Sequence, residues 1–176
     1  MEIQGEKLLL IPVSDAHLDF VCQLECDANL WSFEESIKTD IDEVREEYLE
    51  RMGEDCSYDF VITLASDSTR TPIGIAQLWS YVEHRNSWEL GFAVLPGYSG
   101  RGYGKEAAGL LLKFAFEELN AHKVVGMCNC NNTPSAVLME RIGMRREAVF
   151  KDEYLWHGDW TDQYFYSILD KEFVER

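Results

Sequence analysis

Pro96-Gly97-Tyr98-Ser99-Gly100-Arg101-Gly102-Tyr103-Gly104-Lys105-Glu106-Ala107 closes a strand-like segment and opens a helical one, and this junction decides the architecture. Glycines at 100, 102 and 104 allow backbone dihedrals that other residues avoid, and they let the chain approach a ligand closely. The helix starting here presents unpaired N–H groups at its N-terminus, where its dipole favours negative charge. A pyrophosphate fits such a place, and Arg101 and Lys105 add positive charge to it. The turn is not a Walker A loop, which ends in Gly-Lys-Ser/Thr. It is also a poor dinucleotide fingerprint, because that motif needs parallel strands around it. A nucleotide site on this turn alone would require a magnesium-handling Ser, Thr or Asp beside it, and no convincing one is present. A glycine-rich turn that is merely a turn is the plain alternative.

Working upstream, Ser87–Leu95 alternates in character. Trp88, Leu90, Phe92 and Val94 share one face, and Glu89, Gly91, Ala93 and Leu95 share the other. The first is a core face; the second carries small residues after a carboxylate and leaves room for something to lie along it. Tyr58–Ala65 and Ile73–Val82 precede it as further strands, joined by polar turns into an antiparallel meander. Lys7–Val13 is a first strand. Ser14-Asp15 offers a cap for a helix to about Glu25, with Ala16, Phe20, Cys22 and Leu24 inside, and Ile41–Met52 reads as a second helix closed by Gly53. Downstream, Gly102–Asn120 forms a helix with Ala107, Leu111, Ala115 and Leu119 in one stripe. His122–Cys130 is a strand, Thr133-Pro134 caps a helix over Ser135–Ile142, and Met144–Leu155 and Trp160–Leu169 are strands about a turn at Gly158-Asp159.

The 176 residues suit one domain, residues 1–176, and 46% hydrophobic residues supply a core without disulfides or metal. The five cysteines lack framework or zinc-knuckle spacing, so the expectation is reduced thiols and no metal. With no apolar run of membrane length and no signal-like start, the chain reads as cytoplasmic and not membrane-bound. A formal charge of −16 argues against nucleic acid as the main partner and is compatible with a cationic substrate.

Segment 86–107 resembles the acyl-CoA-binding motif of the GNAT acetyltransferases, and Gly102-Tyr103-Gly104-Lys105-Glu106-Ala107 is especially similar to the RimJ/RimL-type branch. Ser99 stands where the general motif prefers Arg or Gln. Asn132-Thr133-Pro134-Ser135 followed by Leu138 through Gly143-Met144 resembles the family's Asn-x-x-Ser…Leu-x-x-x-Gly-Phe element, with Met144 in place of phenylalanine. Gly158 through Leu169 is similar to the branch's C-terminal hairpin. The resemblance implies an α/β (α+β) fold, with a mixed, mostly antiparallel central sheet of about seven strands flanked by about four helices. It implies acetyl-CoA as cosubstrate, held by Phe92, Ala93 and Val94 along the strand, by Arg101, Gly102, Tyr103, Gly104 and Lys105 at the turn, and by Asn132 and Arg141. Val94 N–H would polarise the thioester.

The chemistry then sets requirements. An alkylammonium, with a pKa near ~10, must lose a proton before it attacks a thioester, and the leaving thiolate needs a proton or a stabilising charge. Glu89 is placed to be the general base, through water. Ser135 matches a serine that some members use near the sulfur as general acid; Met139 occupies the place where others carry a tyrosine. Trp31, Phe33, Glu34 and Glu35 lie where the family builds its acceptor pocket, and aromatics with carboxylates suit an ammonium group. The expected activity is N-acetylation of a protein N-terminus or a small-molecule amine. A spermidine-type polyamine acetyltransferase and a non-catalytic CoA-binding or sensing module are the alternatives. The chain is expected to be a monomer or a homodimer, the latter through an exposed strand edge or the aromatic C-terminal strands.

Overall fold

The computed structural model describes residues 1–173; residues 174–176, the last of the expected 1–176 domain, lie outside the described residues. In chain order the strands are β1 (Ile3–Gln4), β2 (Leu8–Pro12), β3 (Ser57–Leu64), β4 (Pro72–Val82), β5 (Ser87–Val94), β6 (Lys123–Asn129), β7 (Arg145–Trp156) and β8 (Asp159–Leu169). The helices are α1 (Leu18–Glu25), α2 (Ile41–Arg51), α3 (Tyr103–Glu117) and α4 (Thr133–Arg141). All eight strands join one sheet in the order β1-β2-β3-β4-β5-β6-β8-β7. The strand beyond the expected seven is β1, two residues paired with Leu9 and Leu10 of β2 and too short to show a period.

Every neighbouring pair is antiparallel except β5 and β6, which α3 connects across a face of the sheet. That parallel ladder is short. It joins Ser87–Glu89 to Lys123–Val125 and stops, although β5 continues to Val94 and β6 to Asn129. Beyond Glu89 the sheet therefore opens into a wedge. On its other edge β5 stays paired with β4 as far as Gly74–Val94.

The alternation expected along β5 holds and places a core on each side of the sheet. Trp88, Leu90, Phe92 and Val94 pack with α3 and α4 against Leu8, Leu10, Phe60 and Ile62. Ala93 and Leu95 pack with α1 and α2 against Ile11, Val61 and Ile75. The α3 stripe of Ala107, Leu111 and Ala115 is fully buried, and burying a leucine such as Leu111 contributes about 1.5–3 kcal/mol. No helix among the described residues is long and apolar enough to cross a membrane.

Four local expectations are corrected. Ala16 is exposed, because Asp15–His17 forms a 3-10 turn before α1, whose buried residues are Leu18, Val21, Cys22 and Leu24. The cap of α4 is Asn132 rather than Thr133: its side-chain oxygen accepts the Ser135 N–H at 3.2 Å. The β7–β8 turn is His157-Gly158, both at positive φ (53° and 88°), the conformation that matches strand twist in a two-residue hairpin. The open space expected over Gly91 is filled by Trp79, whose ring would lie 2.9 Å from a Cβ added there.

Candidate active site

The wedge between β5 and β6 has hydrogen-bonding groups to offer. Leu95 N–H donates to Ile73 O at 2.8 Å, toward β4. Alternation along the strand therefore turns the N–H groups of Phe92 and Val94 the other way, into the wedge. Gly74, opposite Val94, allows this close pairing, since a Cβ there would sit 2.2 Å from Ala93 O. At the far end of β5, Gly102 caps α3 with φ 85°, a left-handed conformation that disfavours any side chain. Gly104 lets α3 approach its neighbours: an added Cβ would lie 3.1 Å from Leu138 and 3.4 Å from the Phe92 ring. Tyr103 packs against the core on that side.

Gly102, Lys105 and Arg141 line one cleft of about 510 Å³ together with Lys7 and Gln4. Two cationic side chains expected to hold the cofactor thus meet at the glycine turn, although they come from α3 and α4. Arg101 does not join them; its guanidinium lies 5.9 Å from the Tyr98 ring centroid. Glu106, one turn into α3, lines the same cleft, and its carboxylate is tied to the β1–β2 turn by accepting Lys7 N–H at 2.7 Å and Leu8 N–H at 3.1 Å. Two further clefts, of about 430 and 590 Å³, are lined by none of the expected site residues.

Glu89 is the last β5 residue paired with β6, so its carboxylate stands where the strands part. It is half-buried, and loss of water raises its pKa to about 7. The Trp79 indole N–H, directly across the β4–β5 ladder, donates to it at 3.2 Å and works in the opposite direction; the charge of Glu34 adds slightly to the rise. A carboxylate tuned to about 7 can hold and release a proton near neutral pH.

The segment between α1 and α2 reaches this place and is tied down on three sides. Trp31 donates its indole N–H to Leu24 O at 2.9 Å. Phe33 stacks on Trp156, with centroids 5.8 Å apart and planes at 19°, and its carbonyl accepts from Asn129 Nδ2 at 3.2 Å. Trp156 Nε1 donates to Ser32 O at 2.9 Å. Glu35 accepts Leu155 N–H at 3.0 Å and so serves the structure rather than the pocket. Glu34 is exposed yet crowded by neighbouring protein atoms, and that partial loss of water raises its pKa.

Ser135 is released from capping by Asn132, and its hydroxyl lies against Cys128. Burial pushes the Cys128 thiol up to about 11 while the Ser135 hydrogen bond opposes the rise. The buried Asn129 joins both sides: it donates to Phe33 O and accepts from the Asn131 backbone at 3.0 Å, next to the α4 cap. The Asn132 oxygen is occupied by its cap bond, which leaves its amide nitrogen for a ligand.

Residues 7–145 match the acetyltransferase (GNAT) domain family. The chain belongs to the GNAT acetyltransferase family. Among its relatives, an uncharacterized N-acetyltransferase of Bacillus subtilis, YnaD, is 39% identical over 87 residues, covering 49% of this chain and 51% of that protein. The chain thus spans about half the length of that relative. The spermidine N(1)-acetyltransferase of Vibrio cholerae is 24% identical over 98% of both chains. A solved GNAT structure from Bacillus anthracis superposes with a TM-score of 0.84 at 29% identity, covering 98% of this chain and 100% of that one. The Vibrio cholerae spermidine N-acetyltransferase in complex with CoA and spermine has a TM-score of 0.87 at 23% identity, covering 96% and 98%, and shares the fold.

GNAT acetyltransferases use acetyl-CoA, and the wedge and glycine turn of this chain offer backbone N–H groups and cations of the kind that cosubstrate's amides and phosphates require. Three residues of this GNAT site lie outside the sequence expectations: Trp79, which orients Glu89, and Tyr154 with Gln163, which hydrogen-bond each other on the β7–β8 hairpin. For Trp79 there is no clean signal in the sequence, because a bulge in the hairpin shifts its pairing with Glu89. No pattern in the sequence marks Tyr154.

Proposed function

We propose that the chain, acting as one domain over 1–176, transfers acetyl from acetyl-CoA to a primary amine by direct attack. The observation that carries this is the position of Glu89: a carboxylate with a pKa of about 7 at the point where β5 and β6 part. Pantetheine lies in the wedge against the free edge of β5, Val94 N–H polarises the thioester oxygen, and Gly102, Gly104, Lys105 and Arg141 hold the phosphates. Glu89 removes a proton from the bound ammonium, the neutral amine attacks the carbonyl carbon, and the C–S bond breaks as the tetrahedral intermediate collapses. Ser135 passes a proton to the leaving sulfur from the α4 side and regains one from the second proton that the nitrogen gives up, while the first leaves Glu89 for water, so that amide and thiol depart neutral. The ordered motifs support a place in the RimJ/RimL-type branch.

The acceptor enters beside Glu34, Phe33 and Trp156, a lining of carboxylate and aromatic rings that favours a cation. This lining, with the similarity to the spermidine acetyltransferase, supports a polyamine as the first acceptor to try. The test begins with calorimetry of acetyl-CoA binding to the wild-type chain and to Gly102→Glu, followed by turnover with spermine, spermidine, an aminoglycoside and a peptide with a free N-terminus. Binding abolished by the substitution, with transfer to an amine of the panel, is the expected result. No binding at saturating acetyl-CoA would overturn the proposal, and binding without transfer to any of the four would favour a CoA sensor.

A further inference from the structure

An amine brought to Glu89 lies along one face of the sheet, and what that face offers beside Glu89 decides which amines fit. The inference rests on the acetyltransferase reading above. On that face Trp79 pairs with Glu89. Gln77 pairs with Gly91, the next β5 residue on the same side, and with Asp59 of β3. Glu89 and Gly91 are therefore about 6.6 Å apart along the strand, the reach of a propyl or butyl chain. The Trp79 indole bridges that interval: its Nε1 donates to Glu89 at 3.2 Å, and its outer edge, Cζ3 and Cη2, stands 2.9 Å from where a Gly91 Cβ would be.

Gln77 is only 9% exposed, and its amide is held by a network whose direction is fixed. Nε2 donates to Asp59 Oδ1 at 2.7 Å and to the Tyr48 hydroxyl oxygen at 3.0 Å. Asp59 is paired with Arg51 at 2.9 Å, and Tyr48 gives its own hydrogen to Glu25 at 2.7 Å. An ionised carboxylate only accepts, so the nitrogen of Gln77 must face Asp59 and the oxygen must face the other way. That oxygen lies 4.0 Å from the missing Gly91 Cβ, and among the described residues nothing donates to it. Every side-chain polar atom sealed from water among the described residues has a partner, so Gln77 Oε1 is open to solvent. A buried amide with both hydrogens engaged thus presents one free acceptor to whatever enters over Gly91.

We propose that Gln77 Oε1 accepts a hydrogen bond from the second nitrogen of a linear diamine or polyamine whose first nitrogen is at Glu89, with the methylenes between them lying along the Trp79 indole. Gly91 keeps the approach clear, since a side chain there would meet the ring edge and the amide oxygen together. The contact selects by donor and by spacing. A monoamine of the same length covers Gln77 Oε1 with a methyl group, which displaces water and returns no donor. A neutral carbonyl oxygen suits the second nitrogen because it accepts a hydrogen bond without taking the proton.

The test compares kcat/KM for diaminobutane with that for pentylamine, its match in length. High salt screens the attraction of a chain of charge −16 for any dication. The wild type should prefer the diamine about ten- to a hundred-fold, on the scale of one hydrogen bond to a charged group. Gln77→Met, similar in length but without the amide, should bring the two amines close together. Gly91→Ala leaves the Gln77 network in place and narrows the approach, so it should lower the preference as well. It decides the matter if thermal melting shows that Gln77→Met does not fold. A wild-type ratio near one overturns the inference, as does a preference that folded Gln77→Met, or Gly91→Ala in its place, retains in full. Absence of transfer to these two amines and to the whole panel above overturns the acetyltransferase reading itself. Transfer to the peptide or the aminoglycoside but not to the diamine overturns this inference alone.

Discussion

Glu89→Gln should make the protein more stable and inactive, and the gain in stability should depend on pH. Burial raises the Glu89 pKa from 4.5 to about 7, so between those values the folded chain binds more protons at this site than the unfolded chain. Stability therefore falls as pH rises through that window, and above about 7 the full penalty of a partly dehydrated carboxylate is present. At about 1.36 kcal/mol per pKa unit the penalty is at most roughly 3 kcal/mol. Glutamine is nearly isosteric and neutral at all pH, so it escapes this penalty. At pH 5, where about 0.8 kcal/mol of the penalty is already present, the variant should melt only about 2–3 °C higher. At pH 8 the variant should melt higher by up to about 10 °C, given ~2–4 °C per kcal/mol for a chain of this size. Its turnover should be lower by about 10²–10⁴, as expected for a lost general base. Thermal unfolding followed by circular dichroism at the two pH values gives the first number, and steady-state kinetics the second. A melting difference that is flat between pH 5 and pH 8 would refute the assignment of a dehydrated, titrating Glu89.

Three other substitutions test separate parts of the site. Trp79→Phe removes the indole N–H that holds the Glu89 pKa down, so the ascending limb of the kcat–pH profile should move to higher pH. Arg141→Ala should weaken acetyl-CoA binding about ten-fold at low salt and less at high salt, because the lost contact is ionic and lies in an open cleft; calorimetry at two ionic strengths reads both. Gly74→Ala puts a methyl against the Ala93 carbonyl and should lower stability by about 1–3 kcal/mol, seen as a lower urea midpoint with an unchanged slope.

The strands from β2 to β6 were legible as short runs, apolar throughout or alternating as in β3 and β5, each bounded by turn residues, and α3 because its buried stripe repeats every four residues. The place of Glu89 follows once β5 is placed, because its two faces are then fixed; the role of Val94 rests on the family resemblance and that of the glycine turn on glycines spaced ahead of a helix. Trp79 was harder, because a bulge between Ser80 and Val82 shifts the β4–β5 register, so that counting back from the hairpin turn pairs the wrong residues. Tyr154 stands close to the hairpin turn in register with Thr161, but a turn read at Gly158-Asp159 instead of His157-Gly158 pairs it with the wrong residue. The α4 cap was missed because Asn132 and Thr133 are both good capping residues, and only the geometry of the preceding turn selects between them. Glu35 looked like a twin of Glu34; the Leu155 N–H that claims it comes from 120 positions away.

The irregularities of β7 have a consequence for what the sheet can become. As the last strand, β7 presents a twelve-residue margin, and a straight one would be an open template on which other chains could add strands. At Lys151–Glu153 that margin buckles. Asp152 takes φ 51°, Asp162 accepts both the Lys151 ammonium at 2.6 Å and the Asp152 N–H at 3.2 Å, and a second break lies between Arg146 and Ala148. A strand arriving from outside finds only short stretches in register, interrupted by charge. Such a buckle disfavours polymerisation through this edge, and straightening it by deletion would be expected to favour strand-on-strand assembly.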